Sequence, residues 1–395
     1  MKKLSAVALA ILVAATLPAC AAKAKKEQSS GGTSAVKVAV IYSKTGLLSA
    51  YGQEYLQGFN AGLAYATKGT GSVAGHKIDV TFADDAGTPS TAIASAKQYI
   101  GQGYKIIAGT TDSGIARQLA PLAEQNKVLY IDGPAAADAL TGINKYTFRS
   151  GRQSYQDVAT AGSFVGDLKG KKVLVFAQDT TFGQGNAAAV KAVLGAKGAT
   201  VDSLLVPAST TDFTPFAKQA AQAKPQLVFV AWAGATTAPM WQALDQQKVL
   251  SSTTVVTGLA NVASYGAYGP ATANINFLSY YFPTAADNPV NAAMKDAITK
   301  AGGTPDLFSP DGFVAAQMIV HAIEKANGDE VPAMISALEG WTFDAPKGSE
   351  TIRASDHAML QPMFRAKLIG AGSSWTPQLV ATVPATDTAP AAAAG

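Results

Sequence analysis

The sequence predicts an α/β protein of two doubly wound, parallel-sheet lobes, and three observations carry that expectation. At 395 residues the chain is longer than one hydrophobic core usually serves, so it divides into two domains. From Val36 onward, short apolar runs alternate with stretches whose apolar residues recur at helical spacing, the pattern of strands and crossover helices. The same alternation starts afresh after Arg149.

Val36–Tyr42 reads as a buried strand, followed by a Gly/Ser loop and a helix over Gln53–Ala66 with Tyr55, Phe59, Leu63 and Ala66 on one face. Lys77–Phe82, Lys105–Ala108 and Val128–Ile131 continue as strands, separated by helices at Ser90–Gly101 and Ser113–Gln125, and Tyr146–Arg149 is short and extended. In the second run Val173–Ala177, Val201–Val206, Leu227–Trp232 and Thr253–Thr257 are strands about 27 residues apart, room for one strand and its returning helix. Ile275–Phe282 is extended and stops at Pro283. Helices over Val290–Ala301, Pro310–Asn327 and Val331–Leu338 follow without strands between them, which fits a chain that has crossed back to the first lobe. Thr351–Arg353 and Met363–Ile369 are then expected to close the second. The expected division is 36–150 and 283–340 for lobe 1, 151–282 and 341–376 for lobe 2, with a disordered tail at 377–395 that ends in Ala, Thr and Pro without periodicity.

Residues 1–20 read as a secretory signal, with Lys2 and Lys3 at the charged start, an apolar stretch from Leu4 to Thr16, and small residues after it. That stretch is shorter than the roughly 20 residues that span a bilayer. Leu17-Pro-Ala-Cys20 resembles the bacterial lipobox, whose cysteine becomes the lipidated first residue, and Pro18 is an unusual occupant of it. Cys20 is the only cysteine, so an exported chain of this kind builds no disulfide of its own. Residues 21–35 are small, polar and dotted with lysine, the composition of a flexible tether. A net charge of +4 with scattered lysines leaves no basic stripe for nucleic acid.

The best candidate for a functional element is the turn after Lys105–Ala108, where Gly109-Thr-Thr-Asp-Ser-Gly114 leads into a helix. A helix start carries unpaired N–H groups and the positive end of the helix dipole, which favour an anion or a side-chain oxygen. Thr111 and Ser113 add hydroxyls. The competing reading is that Thr111, Asp112 or Ser113 simply caps the helix, and the turn alone does not decide.

Signals for catalysis are weak. His76, His321 and His357 have no partner at metal-ligand spacing, and the chain holds neither a Gly-x-Ser-x-Gly elbow nor a cysteine nucleophile. Gly183-Gln-Gly185-Asn-Ala-Ala188 fits a dinucleotide fingerprint in letters only, because a loop of about five residues parts it from its strand where the fingerprint needs the tight turn itself. Asp84 with Asp85, and Asp157 with Asp179, read better as capping or surface carboxylates than as an acid/base pair. No metal and no cofactor is expected.

Taken together, Val36 to Gly52, Asp84-Asp85-Ala86, Gly109 to Gly114, Asp132-Gly-Pro-Ala-Ala-Ala137, Phe182-Gly-Gln-Gly185 and Arg353-Ala-Ser-Asp-His357 resemble the branched-chain amino-acid-binding, or leucine-binding-like, family of type I periplasmic solute-binding proteins of ABC transporters. The resemblance runs from Val36 to about Thr376 and rests on order and spacing rather than on any single motif. It implies two lobes joined by a three-segment hinge and a ligand held in the cleft between them. On it, Ser113 and Gly114, with Thr111 beside them, match the turn that holds a ligand carboxylate. Ala135 matches a carbonyl that meets the ligand ammonium, and Ala137 stands where a threonine hydroxyl would. Phe182 matches a closing aromatic without its phenol oxygen, Trp232 a second aromatic, Tyr51 a pocket-lining ring, and Thr257 the place of the glutamate that pairs with the ammonium. These departures favour a small apolar or aromatic solute, such as a carboxylic acid, over a branched-chain amino acid, unless Asp112 or Asp138 turns inward to replace the lost carboxylate. Trp241 is read as packing. The implied protein is a lipid-anchored, monomeric binding component on the outer face of the cytoplasmic membrane, delivering its solute to ABC permease subunits. A ligand-sensing receptor module shares the fold, and a dinucleotide-dependent enzyme is the remoter alternative.

If Cys20 is the lipidation site, metabolic labelling with a palmitate analogue marks the wild type and leaves Cys20→Ala unlabelled; equal labelling of both removes the anchor.

Overall fold

A computed structural model describes residues 35–371 and 374–393, so the expected signal, Cys20 and tether lie outside the described residues. In the first half, β1 (Val36–Tyr42), α1 (Ser49–Ala66), β2 (Ser72–Val73), β3 (His76–Asp84), α2 (Pro89–Gly101), β4 (Ile106–Ala108), α3 (Ser113–Asn126), β5 (Leu129–Asp132) and β6 (Thr147–Arg149) follow one another. The second half runs α4 (Ser154–Gly162), β7 (Lys172–Asp179), α5 (Thr181–Ala196), β8 (Thr200–Pro207), α6 (Thr214–Gln222), β9 (Leu227–Ala231), α7 (Thr237–Gln246), α8 (Val249–Ser252), β10 (Thr254–Gly258) and β11 (Ile275–Ser279), with 3₁₀ turns over Val262–Asn274. The chain then forms α9 (Pro289–Lys300), α10 (Ser309–Ala326), α11 (Val331–Leu338), β12 (Thr342–Ala345), β13 (Gly348–Ile352), β14 (Met359–Leu360), β15 (Met363–Ala371), β16 (Ser374–Val383) and α12 (Ala385–Thr388).

Two main sheets result. The first has the order β2-β3-β1-β4-β5-β6 and the second β16-β15-β11-β10-β9-β7-β8. Both are parallel through their centres, with an antiparallel β2 at one edge of the first and an antiparallel β15–β16 hairpin at one edge of the second. Central strands such as β9, Leu227-Val-Phe-Val-Ala231, are buried along their whole length, because helices cover both faces of a doubly wound sheet.

As the uninterrupted helical run suggested, α10 returns to the first sheet and packs its apolar side with Val38, Val40 and Phe59. Glycine sets how closely α1 and α10 approach. A Cβ on Gly58 would lie 1.9 Å from the Ser309 carbonyl oxygen, one on Gly62 2.4 Å from that of Phe313, and one on Gly312 1.9 Å from that of Tyr55.

Two expectations are corrected. Residues 342–360 do not join the second sheet: β12, β13 and β14 form a small antiparallel sheet of their own, whose Phe343, Ala345, Ile352 and Met359 pack with Met334 and Leu338 of α11 against the first lobe. The short apolar stretch around Thr351 carried no information on which lobe would cover it. The tail is also ordered as far as residue 393, since β16 pairs with β15 from Met363↔Val383 to Ala371↔Ser374. Beyond it Thr388 is fully buried, Arg353 donates to the carbonyls of Pro390 (2.7 Å) and Ala391 (3.3 Å), and the Ala393 N–H donates to Asp356 (2.9 Å). Pairing through backbone groups and capture by one arginine need no hydrophobic period, so composition did not reveal them.

Gly58→Ala forces a methyl onto backbone that has no rotamer with which to yield, and overpacking of this kind costs about 1–3 kcal/mol or more. Thermal denaturation is expected to show a Tm loss for Gly58→Ala but none for Gly101→Ala under matched conditions, Gly101 having open space around it and no positive φ; an unchanged Gly58→Ala Tm would mean that α1 and α10 are not this close.

Candidate functional site

The strands of both sheets end toward one cleft, where open α/β folds place their ligands. A cavity of about 410 Å³ lies there, and Leu47, Tyr51, Ser113, Gln178, Phe182 and Phe308 are among its walls. An inner chamber of about 70 Å³ shares Tyr51, Arg152, Phe182, Ala233 and Phe308 with it and reaches down to Trp232 and Thr257.

On the first lobe, Asp84 and Asp85 shape the rim. Asp84 accepts from the N–H groups of Lys44, Thr45 and Ala86 and from the Thr45 hydroxyl, at 2.6–3.1 Å. Its weak burial acts to raise its pKa, but these bonds outweigh that and hold it below the usual carboxylate range. Asp85, fully buried, accepts from Ser43 (2.9 Å), the Gly87 N–H (2.8 Å) and Thr110, and burial pushes its carboxyl up. The two acids therefore tie the β1, β3 and β4 loops together, and neither lines the cavity.

The α3 turn divides its residues between capping and the cleft. Asp112 is the cap, its Oδ1 accepting from the Ile115 N–H at 2.9 Å. Thr111 shares a hydrogen bond with Ser43. Ser113 and Gly114, in the first turn, border the cavity opposite Thr181 and Phe182 at the start of α5, where a Cβ on Gly114 would stand 3.4 Å from Thr181 Oγ1. Two helix N-termini thus face one space, a setting that favours negative charge.

Tyr51, Thr111, Ser113, Gly114 and Phe182 meet in the outer cavity, and Trp232 and Thr257 in the inner chamber. Trp232 follows β9 rather than ending it, stacks on Phe176 (5.7 Å between centroids) and donates its indole N–H to Thr236 (3.0 Å). Thr257 is buried and donates to the Val230 carbonyl at 3.0 Å. Trp241 is core, although one edge reaches the inner chamber.

Ala135 and Ala137 are not brought to the site. Their carbonyls accept from the Arg149 guanidinium at 2.9 and 3.1 Å, and of this loop only Pro134 and Ala136 border the cavity. An arginine 12 residues beyond Ala137 captures the carbonyl oxygens, a tertiary contact that no local pattern encodes. Asp138 likewise faces away from the cleft, accepting from Gln153 Nε2 and the Tyr155 N–H, both at 2.9 Å.

Residues that sequence reasoning missed complete the walls. Arg152, in the first crossover, lines both compartments; it donates to the Pro134 carbonyl (2.8 Å), faces Asp157 at 3.2 Å, and lies 4.5 Å from the Tyr280 ring centroid and 5.7 Å from that of Phe308. Burial acts to lower its pKa, yet Asp157, Tyr280 and Asp311 together outweigh burial and keep Arg152 charged. Its signal was absent because a single arginine between Gly151 and Gln153 belongs to no motif. Phe308 comes from the second pass through the first lobe, immediately before α10.

Three successive N–H groups after β9 reach in different directions. That of Ala233 donates to Gln178 Oε1 (3.1 Å), that of Gly234 to the Tyr51 hydroxyl (3.4 Å) and that of Ala235 to the Leu47 carbonyl (3.2 Å). The last two cross between lobes. Gly234 is needed there, with φ +82° and a would-be Cβ 2.6 Å from Leu47 O. A second set of cross-lobe bonds comes from acids of the first lobe: Glu54 accepts from Asn261 Nδ2 and Asp306 from the Val262 N–H, each at 2.9 Å.

A model of the periplasmic binding protein family matches residues 35–373. A solved ABC-type branched-chain amino acid transporter protein from Rhodopseudomonas palustris is 34% identical, covers 89% of this chain and 97% of its own, and superposes with a TM-score of 0.74. A solute-binding protein of an R. palustris ABC transporter in complex with 4-hydroxybenzoate is 22% identical at TM-score 0.81, covering 89% of this chain and 97% of its own. The Leu/Ile/Val-binding protein homolog 3 of Brucella melitensis is 29% identical over 77% of this chain and 83% of its own length.

Burial, followed by the neighbouring Asp306, pushes Glu54 up to about 8, and burial pushes Asp306 up to about 6. Folded-state pKa values raised above the ordinary range mean that the stability these groups contribute is full below about pH 4 and is lost as pH rises through 6 and then 8. The Tm should therefore fall between pH 5 and pH 8.5, and Glu54→Gln should flatten the slope; an unaltered slope in Glu54→Gln would place its origin elsewhere.

Proposed function

This chain belongs to the periplasmic binding proteins, in their branched-chain amino-acid-binding branch, and from that premise we propose that it captures a small carboxylic acid with an apolar or aromatic body between its two lobes. The observation that carries this reading is the charge of the walls. Arg152 lines both compartments, whereas Thr257 puts an uncharged hydroxyl, already donated to Val230, where the family resemblance calls for a carboxylate. Of the acids that border the two spaces, Asp112 is engaged as a helix cap and Asp157 faces Arg152. Each of these carboxylates thus has one oxygen committed within the protein, whereas an anion would find two helix N-termini and the guanidinium of Arg152.

Ser113 and Gly114 with Arg152 hold the acid group in this reading, Thr111 supports the turn, and Tyr51, Phe182, Trp232 and Phe308 enclose the body. Relatives of this fold differ in cargo: the R. palustris structure holds 4-hydroxybenzoate, and the Brucella relative is a Leu/Ile/Val-binding protein homolog. The family is one of substrate-binding proteins outside the cytoplasm, so the chain presents its solute and returns it unchanged. Anchoring through Cys20, delivery to ABC permease subunits as part of an importer, and action as a monomer complete the proposal. No described helix is long and apolar enough to cross a membrane.

Calorimetric titration separates the ligand classes. Benzoate or 4-hydroxybenzoate is expected to bind at micromolar or tighter affinity, and leucine, isoleucine and valine weakly. Loss of one partner of a buried charge-assisted pair costs about 2–5 kcal/mol, so folded Arg152→Gln should bind the acid roughly thirty-fold to several-thousand-fold more weakly. Tight leucine binding without response to either benzoate would overturn the reading.

A further inference from the structure

We propose that Gln178 is a specificity-determining residue of the cleft, donating its side-chain amide N–H groups to an acceptor oxygen of the ligand and so selecting acids that lack an ammonium group. The proposal rests on the cleft being a site for a small acid. Gln178 sits at the carboxyl end of β7, is 6% exposed, and lines the outer cavity.

Its orientation follows from its partner. A backbone N–H only donates, so the Ala233 N–H, 3.1 Å from Oε1, fixes the amide oxygen on the protein side. The amide nitrogen then carries two donors, and no described protein group accepts from it, nor is it among the buried polar atoms sealed from any partner. Its remaining neighbour is the cavity that Gln178 lines. A ligand carboxylate, hydroxyl or carbonyl satisfies those donors, whereas an ammonium group brings donor against donor and leaves both sides unpaired. A site built to hydrogen-bond one group rejects an analogue that cannot do so far more strongly than an apolar wall rejects a change of shape.

The same bond ties recognition to closure. Ala233 leads directly into the Gly234 and Ala235 N–H groups that cross to Tyr51 and Leu47 of the first lobe, so the residue that meets the ligand also sets the loop that joins the lobes.

Gln178→Glu tests this with little change of shape, since either carboxylate oxygen still accepts from Ala233 but the outward atom becomes an acceptor. Titrating wild type, Gln178→Glu and Gln178→Met with benzoate, 4-hydroxybenzoate and leucine, we expect each benzoate to weaken at least tenfold in both variants, and leucine to be unchanged or tighter in Gln178→Glu. Benzoate affinities within twofold of wild type in both variants overturn the assignment and leave the acid-binding reading intact. A wild type that binds leucine alone removes the acid reading, and with it the selection against ammonium assigned to Gln178.

Discussion

Much of this molecule depends on two buried arginines in the first crossover between lobes. Arg149 and Arg152 hold the loop after β5 by its carbonyl oxygens, Arg149 through Ala135 and Ala137 and Arg152 through Pro134. Arg149 also donates to the Arg152 carbonyl at 3.0 Å, and Asp132 lies 3.9 Å away on its other side. Isolated buried charge is costly, so each guanidinium is placed where carbonyl dipoles, a carboxylate or aromatic faces replace water. The crossover is thereby fixed in shape, and Arg152 is held at the junction of the two compartments. An arginine suits this place better than a lysine because its planar fork meets several acceptors at once and its face lies against Tyr280 and Phe308.

From that anchor the cleft acquires its character. Helix starts at Ser113 and Thr181 supply donors from opposite sides, and aromatic rings from three separate passes of the chain close the remaining walls. The acids near the site serve chiefly as structural acceptors: Asp85 ties three loops, Asp112 caps α3, and Glu54 and Asp306 bind the opposite lobe. Carboxylates committed to protein N–H groups do not compete for ligand ammonium. This division of labour, with the uncharged Thr257, accords with the anion preference proposed for the cleft.

Contacts across the cleft are few and directional. Backbone N–H groups after β9 reach Tyr51 and Leu47, and Asn261 and Val262 reach two acids whose ionisation burial disfavours. Hydrogen bonds of this number give a closed arrangement that a hinge can still release, since each is worth only about 0.5–1.5 kcal/mol net when water can replace it. The chain belongs to a family whose proteins bind solutes in such a cleft, and the arrangement suits that task.

Local pattern was enough for most of the fold. Fully apolar runs such as Leu227–Ala231 declare buried parallel strands, the restart after Arg149 declares a second lobe, and three helices in succession place α10 back on the first, because strand and helix periods are properties of neighbouring residues. The helix start at Ser113 and Gly114 was legible for the same reason, while Phe182 was singled out by the family resemblance, and all three border the cavity. Tertiary structure decided what depends on distant partners: that Asp112 caps while Asp138 turns away, that Ala135 and Ala137 give their carbonyls to Arg149, that β12–β14 leave the second sheet, and that the tail docks on Arg353. Arg152, Gln178 and Phe308 become site residues only when three passes of the chain converge, and a lone polar or aromatic side chain carries no period by which its destination can be read.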